Sequence, residues 1–248
     1  MEGQRNGTVR DFFRDEEIAT TIAFIKISPL RMKRRAICRR RMRQAIATQF
    51  LPAFFAYTGQ SWWQAYDSKR SSPFREYNHE PELFLTWPSL ARVGPWTLRS
   101  TSLGFVHQSN GRTDPVSRSW NRLFADVRLD HPSGWWLSLR PWVRIPERTK
   151  SDPAQAEGDD NPDIRRYLGD GELRFGYGGD QWRLGGLLRR SLVQGGKGAV
   201  QLDLTVPTGF SPLVRWYVQL FDGYGESLID YNRRLLRVGF GLMLNDWY

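Results

Sequence analysis

Leu236, Val238, Phe240, Leu242 and Leu244 alternate with Arg237, Gly239, Gly241, Met243 and Asn245, and this two-residue rhythm recurs along much of the chain. Val200, Leu202, Leu204 and Val206 alternate with Gln201, Asp203 and Thr205. Val214, Trp216, Val218 and Leu220 alternate with Arg215, Tyr217 and Gln219, and Trp135, Leu137, Leu139, Val143 and Ile145 with Ser138, Arg140 and Arg144. Successive side chains on an extended strand leave on opposite faces, so each segment has one large-apolar face and one charged face. No run of eighteen apolar residues exists, which excludes a transmembrane helix. A transmembrane barrel gives no such run, because polar lumen-facing residues interrupt the lipid-facing ones. A half-buried sheet in a soluble sandwich gives the same alternation. Eleven Trp and nine Tyr, often near segment ends, fit interfacial girdles better than a soluble core.

The connections alternate too. Short turns are expected at residues 130–134, 178–181 and 207–212, and longer polar loops at 68–78, 110–117, 146–163 and 223–232. Short turns on one side of a membrane and long loops on the other suit an antiparallel transmembrane β-barrel. About ten strands can be read from Phe54 onward, so the fold class is all-β.

The charge of +10 is local. Eight Lys/Arg lie between Arg31 and Arg43 with no acidic residue among them, and residues 44–248 carry only +3. Such a run suits an anionic-lipid or nucleic-acid patch, but no nucleic-acid-binding fold accompanies it. It has no two-residue period, and a lipid-facing strand would not tolerate so many arginines. The chain opens without a recognisable signal peptide, and the apolar stretch 19–27 is poorly placed for one. Residues 1–52 therefore read as an atypical basic segment, of the kind a shifted reading frame or misplaced start produces, ahead of a barrel domain at 53–248. A chain carrying this segment in place of two strands is expected not to insert as a stable active enzyme. The single cysteine, Cys38, permits no internal disulfide.

Chemistry concentrates between His107 and Arg122. His107 and Ser109 are two apart, so an extended segment sends both side chains to one face, with Thr101, Leu103 and Phe105. The polar stretch from Asn110 to Ser117 reads as a loop. Asn121 opens the returning segment on a face shared with Leu123, Ala125, Val127 and Leu129, where an antiparallel partner would set it beside His107. Ser, His and Asn make a plausible nucleophile, general base and orienting group. All three lie on the apolar side. In a soluble sheet that side is the core, useless for hydrolysis; in a barrel it faces lipid, where a rim-level triad could meet a lipid ester. Asp114 precedes Pro115 and reads as a turn initiator rather than a metal ligand. His79 and His131 read as too isolated for a second site.

At these residues the chain resembles the outer membrane phospholipase A family of Gram-negative bacteria. The resemblance rests on Gln60-Ser-Trp-Trp-Gln64, Ser71-Ser-Pro-Phe-Arg-Glu76, Glu80-Pro-Glu-Leu-Phe-Leu85, His107–Arg122, Asp160-Asn-Pro-Asp163, Gly223–Asn232 and Arg237–Asp246. Together these blocks span about Phe55 to Tyr248. The resemblance implies a twelve-stranded barrel in the outer membrane and calcium-dependent hydrolysis of phospholipid acyl esters by an active homodimer. It assigns His107, Ser109 and Asn121 as catalytic, the Gly111 amide to the oxyanion hole, and Ser117 and the Arg112 carbonyl to calcium (Ca2+), with Ser71 supplied by the partner subunit. The partners implied are membrane phospholipid and a second copy, with no nucleic acid. Gly59 departs from the family's usual glutamine at the dimer contact, which puts dimer strength in question. A catalytically silent barrel, acting as a channel or scaffold, and a soluble basic binding module are the competing functions.

Overall fold

A computed structural model describes residues 20–27, 53–63, 74–151 and 158–244. Its strands in chain order are β1 (Thr20–Ile27), β2 (Ala53–Trp63), β3 (Phe74–Pro88), β4 (Arg92–Val93), β5 (Trp96–Ser109), β6 (Ser119–Asp130) and β7 (Trp135–Ile145). After the short helix α1 (Ile164–Leu168) come β8 (Gly171–Gly178), β9 (Arg183–Arg190), β10 (Gly198–Pro207), β11 (Arg215–Gly223) and β12 (Leu235–Met243). Each strand pairs antiparallel with its neighbour in the order β1-β2-β3-β5-β6-β7-β8-β9-β10-β11-β12, and the two-residue β4 folds back on β5. Ten long strands from Ala53 onward agree with the number read from the alternation.

The sheet curls round on itself, bringing β12 back towards β2. Neighbouring strands stand about 4.8 Å apart, so nine steps from β2 to β12 would separate them by roughly 43 Å if the sheet were flat. Instead the Arg237 guanidinium of β12 lies 4.4 Å from the ring centre of Trp62 on β2. The outer wall is apolar: Leu83, Leu103, Leu123, Leu139, Val143, Val238 and Phe240 are all more than half exposed. The inner wall carries Glu82, Arg122, Arg140, Glu172, Thr205 and Gln219, all buried. That inversion of the soluble pattern is what a lipid solvent demands. None of the helices is long and apolar enough to cross a membrane among the described residues.

The short turns fall where expected, after Asp130, Gly178 and Pro207. Two expectations need correction. Residues 74–78 belong to β3 rather than to a loop, since Glu76, Asn78, Glu80 and Glu82 point one way along a fifteen-residue strand. Their polarity marks a lumen face, and Glu76 and Asn78 are buried. The first fifty residues also supply a strand: β1 pairs with β2 from Thr20 opposite Trp63 to Ile27 opposite Tyr57. Its sequence, Thr-Thr-Ile-Ala-Phe-Ile-Lys-Ile, is rich in β-branched residues that favour a pleated strand. The basic run at 31–43 lies outside the described residues.

At the long-loop end the lumen is plugged. Val106, Trp120, Phe124 and Trp142 from the wall pack with Ile164 and Leu168 of α1 and with Leu228 and Tyr231 from the β11–β12 connection. Neither α1 nor this apolar plug was expected from the sequence, because five helical residues carry too little period to detect. The plug gives the strand ends above it a rigid footing.

Candidate active site

The register of β5 against β6 places His107 directly opposite Asn121, with His107 Nδ1 2.8 Å from Asn121 Oδ1. Ser109 follows two residues along β5, at its last position, opposite Ser119. The alternation of Leu103 and Phe105, both exposed, fixes this face as the outer one. His107, Ser109 and Asn121 thus share the lipid-facing side at the rim, as expected. The far side of Asn121 is also engaged: its Nδ2 donates to Glu147 Oε1 at 3.1 Å.

Beyond Ser109 the chain enters a loop built around Asn110, which is buried. Asn110 Oδ1 accepts from the amides of Arg112 (3.3 Å) and Arg118 (3.0 Å), and its Nδ2 donates to the Val116 carbonyl at 2.9 Å. Gly111 sits between them at φ +61, a left-handed conformation that suits glycine. Gly111 and Arg112 border an open cleft of about 350 Å³ whose other walls are Phe74, Tyr77, His79 and Asn110. The Arg112 guanidinium is turned back onto the Arg75 and Phe74 carbonyls at 2.8 and 3.4 Å, so that side chain is held against β3.

His79 is less isolated than the sequence suggested. It stands beside Ser109 in the register of β3 with β5, lines the cleft, and shares a hydrogen bond with the Tyr57 hydroxyl. A partner some thirty positions away is invisible without knowing the strand order. His131 is remote, bonded to Ser133 and packed on Trp96.

Of the residues expected to hold calcium, Ser71 lies outside the described residues. Ser117 donates its hydroxyl proton to Asp160 Oδ2 at 2.5 Å. Lys150 Nζ clamps that carboxylate from the other side, 2.5 Å from Asp160 Oδ1 and 2.9 Å from Asp114 Oδ2. The hydrogen bonds that Lys150 donates to Asp160 and Asp114 push its pKa up, and the ammonium stays charged throughout the physiological range. Asp114 is therefore a partner of Lys150, in keeping with its reading as something other than a metal ligand. Among the described residues no group of three or more His, Cys, Asp or Glu side chains could hold a metal. The expected donors are a hydroxyl and a carbonyl instead. They fit a hard cation: with its proton committed to Asp160, the Ser117 oxygen keeps lone pairs to offer, beside a negative carboxylate.

Residues 35–244 match the family model described as Phospholipase A1. The chain belongs to the phospholipase A1 family. It is 43% identical over 195 residues to a Phospholipase A1 of Salmonella typhimurium, covering 77% of this chain and 61% of that relative. It is likewise similar in structure to the outer membrane phospholipase A of Escherichia coli, with a TM-score of 0.70, 41% identity, and coverage of 79% of this chain and 77% of that one. A Salmonella typhi outer membrane phospholipase, solved as a dimer with bound calcium, superposes with a TM-score of 0.69 at 41% identity, covering 79% and 72%. The chain spans about three fifths of the length of the curated relatives it matches.

Proposed function

We propose that this protein is an outer-membrane phospholipase that hydrolyses phospholipid acyl esters through Ser109, His107 and Asn121, with residues 53–248 as the barrel domain that β1 extends by one strand. The observation that carries the reading is the 2.8 Å contact between His107 and Asn121 on the lipid-facing rim, two residues along β5 from Ser109. An imidazole held by an amide beside a hydroxyl is an acyl-transfer arrangement, and its location suits a substrate presented by a membrane.

In the proposed reaction the Ser109 oxygen attacks the acyl carbonyl carbon while His107 Nε2 takes the hydroxyl proton. The Gly111 amide donates to the oxygen that gains the negative charge. Collapse of the tetrahedral adduct breaks the ester C–O bond, and His107 returns its proton to the departing alcohol. Water then attacks the acyl-serine by the same steps, releasing a fatty acid and restoring Ser109. Asn121 holds the ring but is neutral, so it stabilises imidazolium less than a carboxylate would.

Ser117 Oγ, the Arg112 carbonyl and the partner subunit's Ser71 would hold calcium in a homodimer. When bound there, the ion supplies positive charge near the oxyanion. The substrates and partners proposed are membrane phospholipid, the surrounding outer-membrane lipid and a second copy of the chain, with no nucleic acid. Labelling with a long-chain sulfonyl fluoride tests the reading: mass spectrometry should find the adduct on Ser109, and His107→Ala should suppress it. An adduct elsewhere, or none, contradicts the assignment and leaves a silent barrel as the alternative.

A further inference from the structure

The Asn121 amide has two ends, and each has a different partner. Its oxygen lies 2.8 Å from His107 Nδ1, and its nitrogen donates to Glu147 Oε1 at 3.1 Å. A neutral amide beside an imidazole can sit either way round, because imidazole offers a donor nitrogen in one tautomer and an acceptor in the other. A carboxylate removes that freedom. It only accepts, so it requires the NH2 end to face it and turns the oxygen to His107. With an oxygen opposite, Nδ1 must carry the ring proton, and Nε2 is left with the lone pair that a general base needs.

We infer that Glu147 is a positioning residue that sets the tautomer of His107 through the orientation of the Asn121 amide. This assignment rests on the triad proposed above. The chain reaches it by simple strand geometry. Ile145 is opposite Asn121 in the β6–β7 register, and Pro146 ends the ladder because it has no N–H. Two residues beyond Ile145, Glu147 returns to the Asn121 side of the sheet. The following loop is anchored on both sides of Glu147: Arg144 Nη2 binds Asp159 Oδ1 at 2.6 Å, the Asp159 amide donates to the Arg148 carbonyl at 2.8 Å, and Lys150 holds Asp114 and Asp160.

Glu147 also brings a carboxyl group to a triad whose third member is neutral; burial raises its pKa, and the hydrogen bond from Asn121 pulls it back towards the charged form. Charge-assisted acceptance at Nδ2 polarises the amide and makes Oδ1 the stronger acceptor for an imidazolium. The Glu–Asn–His order thus divides between two residues the orienting and charge-stabilising roles that an aspartate combines elsewhere.

The test uses the full chain, refolded in detergent micelles and labelled with 15N-histidine; only three histidines are present, so assignment is direct. The wild-type His107 ring should show a protonated Nδ1 and a bare Nε2. Glu147→Gln keeps size and shape but lets the amide turn over, and a measurable share of the other tautomer should appear. With it, kcat on a micellar phospholipid should fall about tenfold with little change in KM. Glu147→Asp should recover part of both effects. In an Asn121→Ala background, Glu147→Gln should cause no further loss, since the relay is already cut. Heat-modifiable gel migration confirms that each variant folds. An unchanged tautomer and kcat in folded Glu147→Gln, with Ser109→Ala inactive, overturns the role of Glu147 alone. Activity persisting in Ser109→Ala overturns the triad reading beneath it.

Discussion

Glu82 on β3 and Arg140 on β7 meet at 2.9 Å inside the barrel, with two strands lying between theirs in the wall. Both side chains are at least nine-tenths buried, and the Arg140 guanidinium also rests 3.8 Å from the centre of the Phe124 ring. Removing one member leaves the other charge buried without its partner, whereas removing both removes the problem. Glu82→Ala is therefore expected to lower unfolding free energy by about 3–5 kcal/mol. A Glu82→Leu/Arg140→Leu double variant should lie much closer to wild type. Denaturant unfolding in lipid vesicles measures both. Equal costs for the single and double variants would show that the pair does not hold the wall.

In the proposed roles Asn121 holds the general base and takes no part in bond making, so Asn121→Ala should keep a residual rate about 10²- to 10³-fold below wild type. His107→Ala should lose the rest. Steady-state assays on a short-chain phospholipid give the comparison, and equal loss in both variants would contradict the division of labour between them.

Metal dependence should appear at Ser117. If its oxygen is a ligand, Ser117→Ala raises the calcium needed for half-maximal activity by roughly tenfold without changing the fold. Because the proposed ligands come from two subunits, calcium should also favour the dimer, and dimerisation should tighten calcium. Analytical ultracentrifugation with calcium and with chelator reads this directly. Full turnover in chelator would refute the assignment.

Glu226, in the connection between β11 and β12, has its pKa raised to about 7 by burial, against the opposing pull of Arg237 at 3.0 Å. A carboxyl whose folded pKa exceeds its unfolded value favours the fold when protonated. That contribution is complete below about pH 4.5 and is lost as pH rises through about 7. The plug containing Leu228 and Tyr231 should therefore be held more firmly at pH 5 than at pH 8, by on the order of 2–3 kcal/mol. Limited proteolysis across that range should show the difference, and Glu226→Gln should flatten it. Identical pH dependence in the variant would assign the effect to another group.

The wall and the shared face of His107, Ser109 and Asn121 were legible in the sequence for one reason: both depend on a two-residue period. Leu103, Phe105, His107 and Ser109 share a face in any strand, and the register followed once the loop from Asn110 to Ser117 was recognised. Polar alternation misled at Glu76 and Asn78, because a buried lumen face resembles a loop in composition. Contacts between distant strands were hidden. His79 beside Ser109, Asp160 beneath Ser117 and Glu147 behind Asn121 join segments whose proximity depends on the order of strands around the barrel. The strand at Thr20–Ile27 is hidden in the sequence because its apolar residues fall on both alternate sets and give no two-residue contrast.

Ser109 is the proposed nucleophile, and Ser109→Ala tests that role most directly. The variant, folded in phospholipid micelles with calcium present, is expected to migrate as a heat-modifiable barrel and to release no fatty acid above the uncatalysed rate. Fatty-acid release at the wild-type rate from that folded variant would contradict the proposal that this rim is an acyl-transfer site.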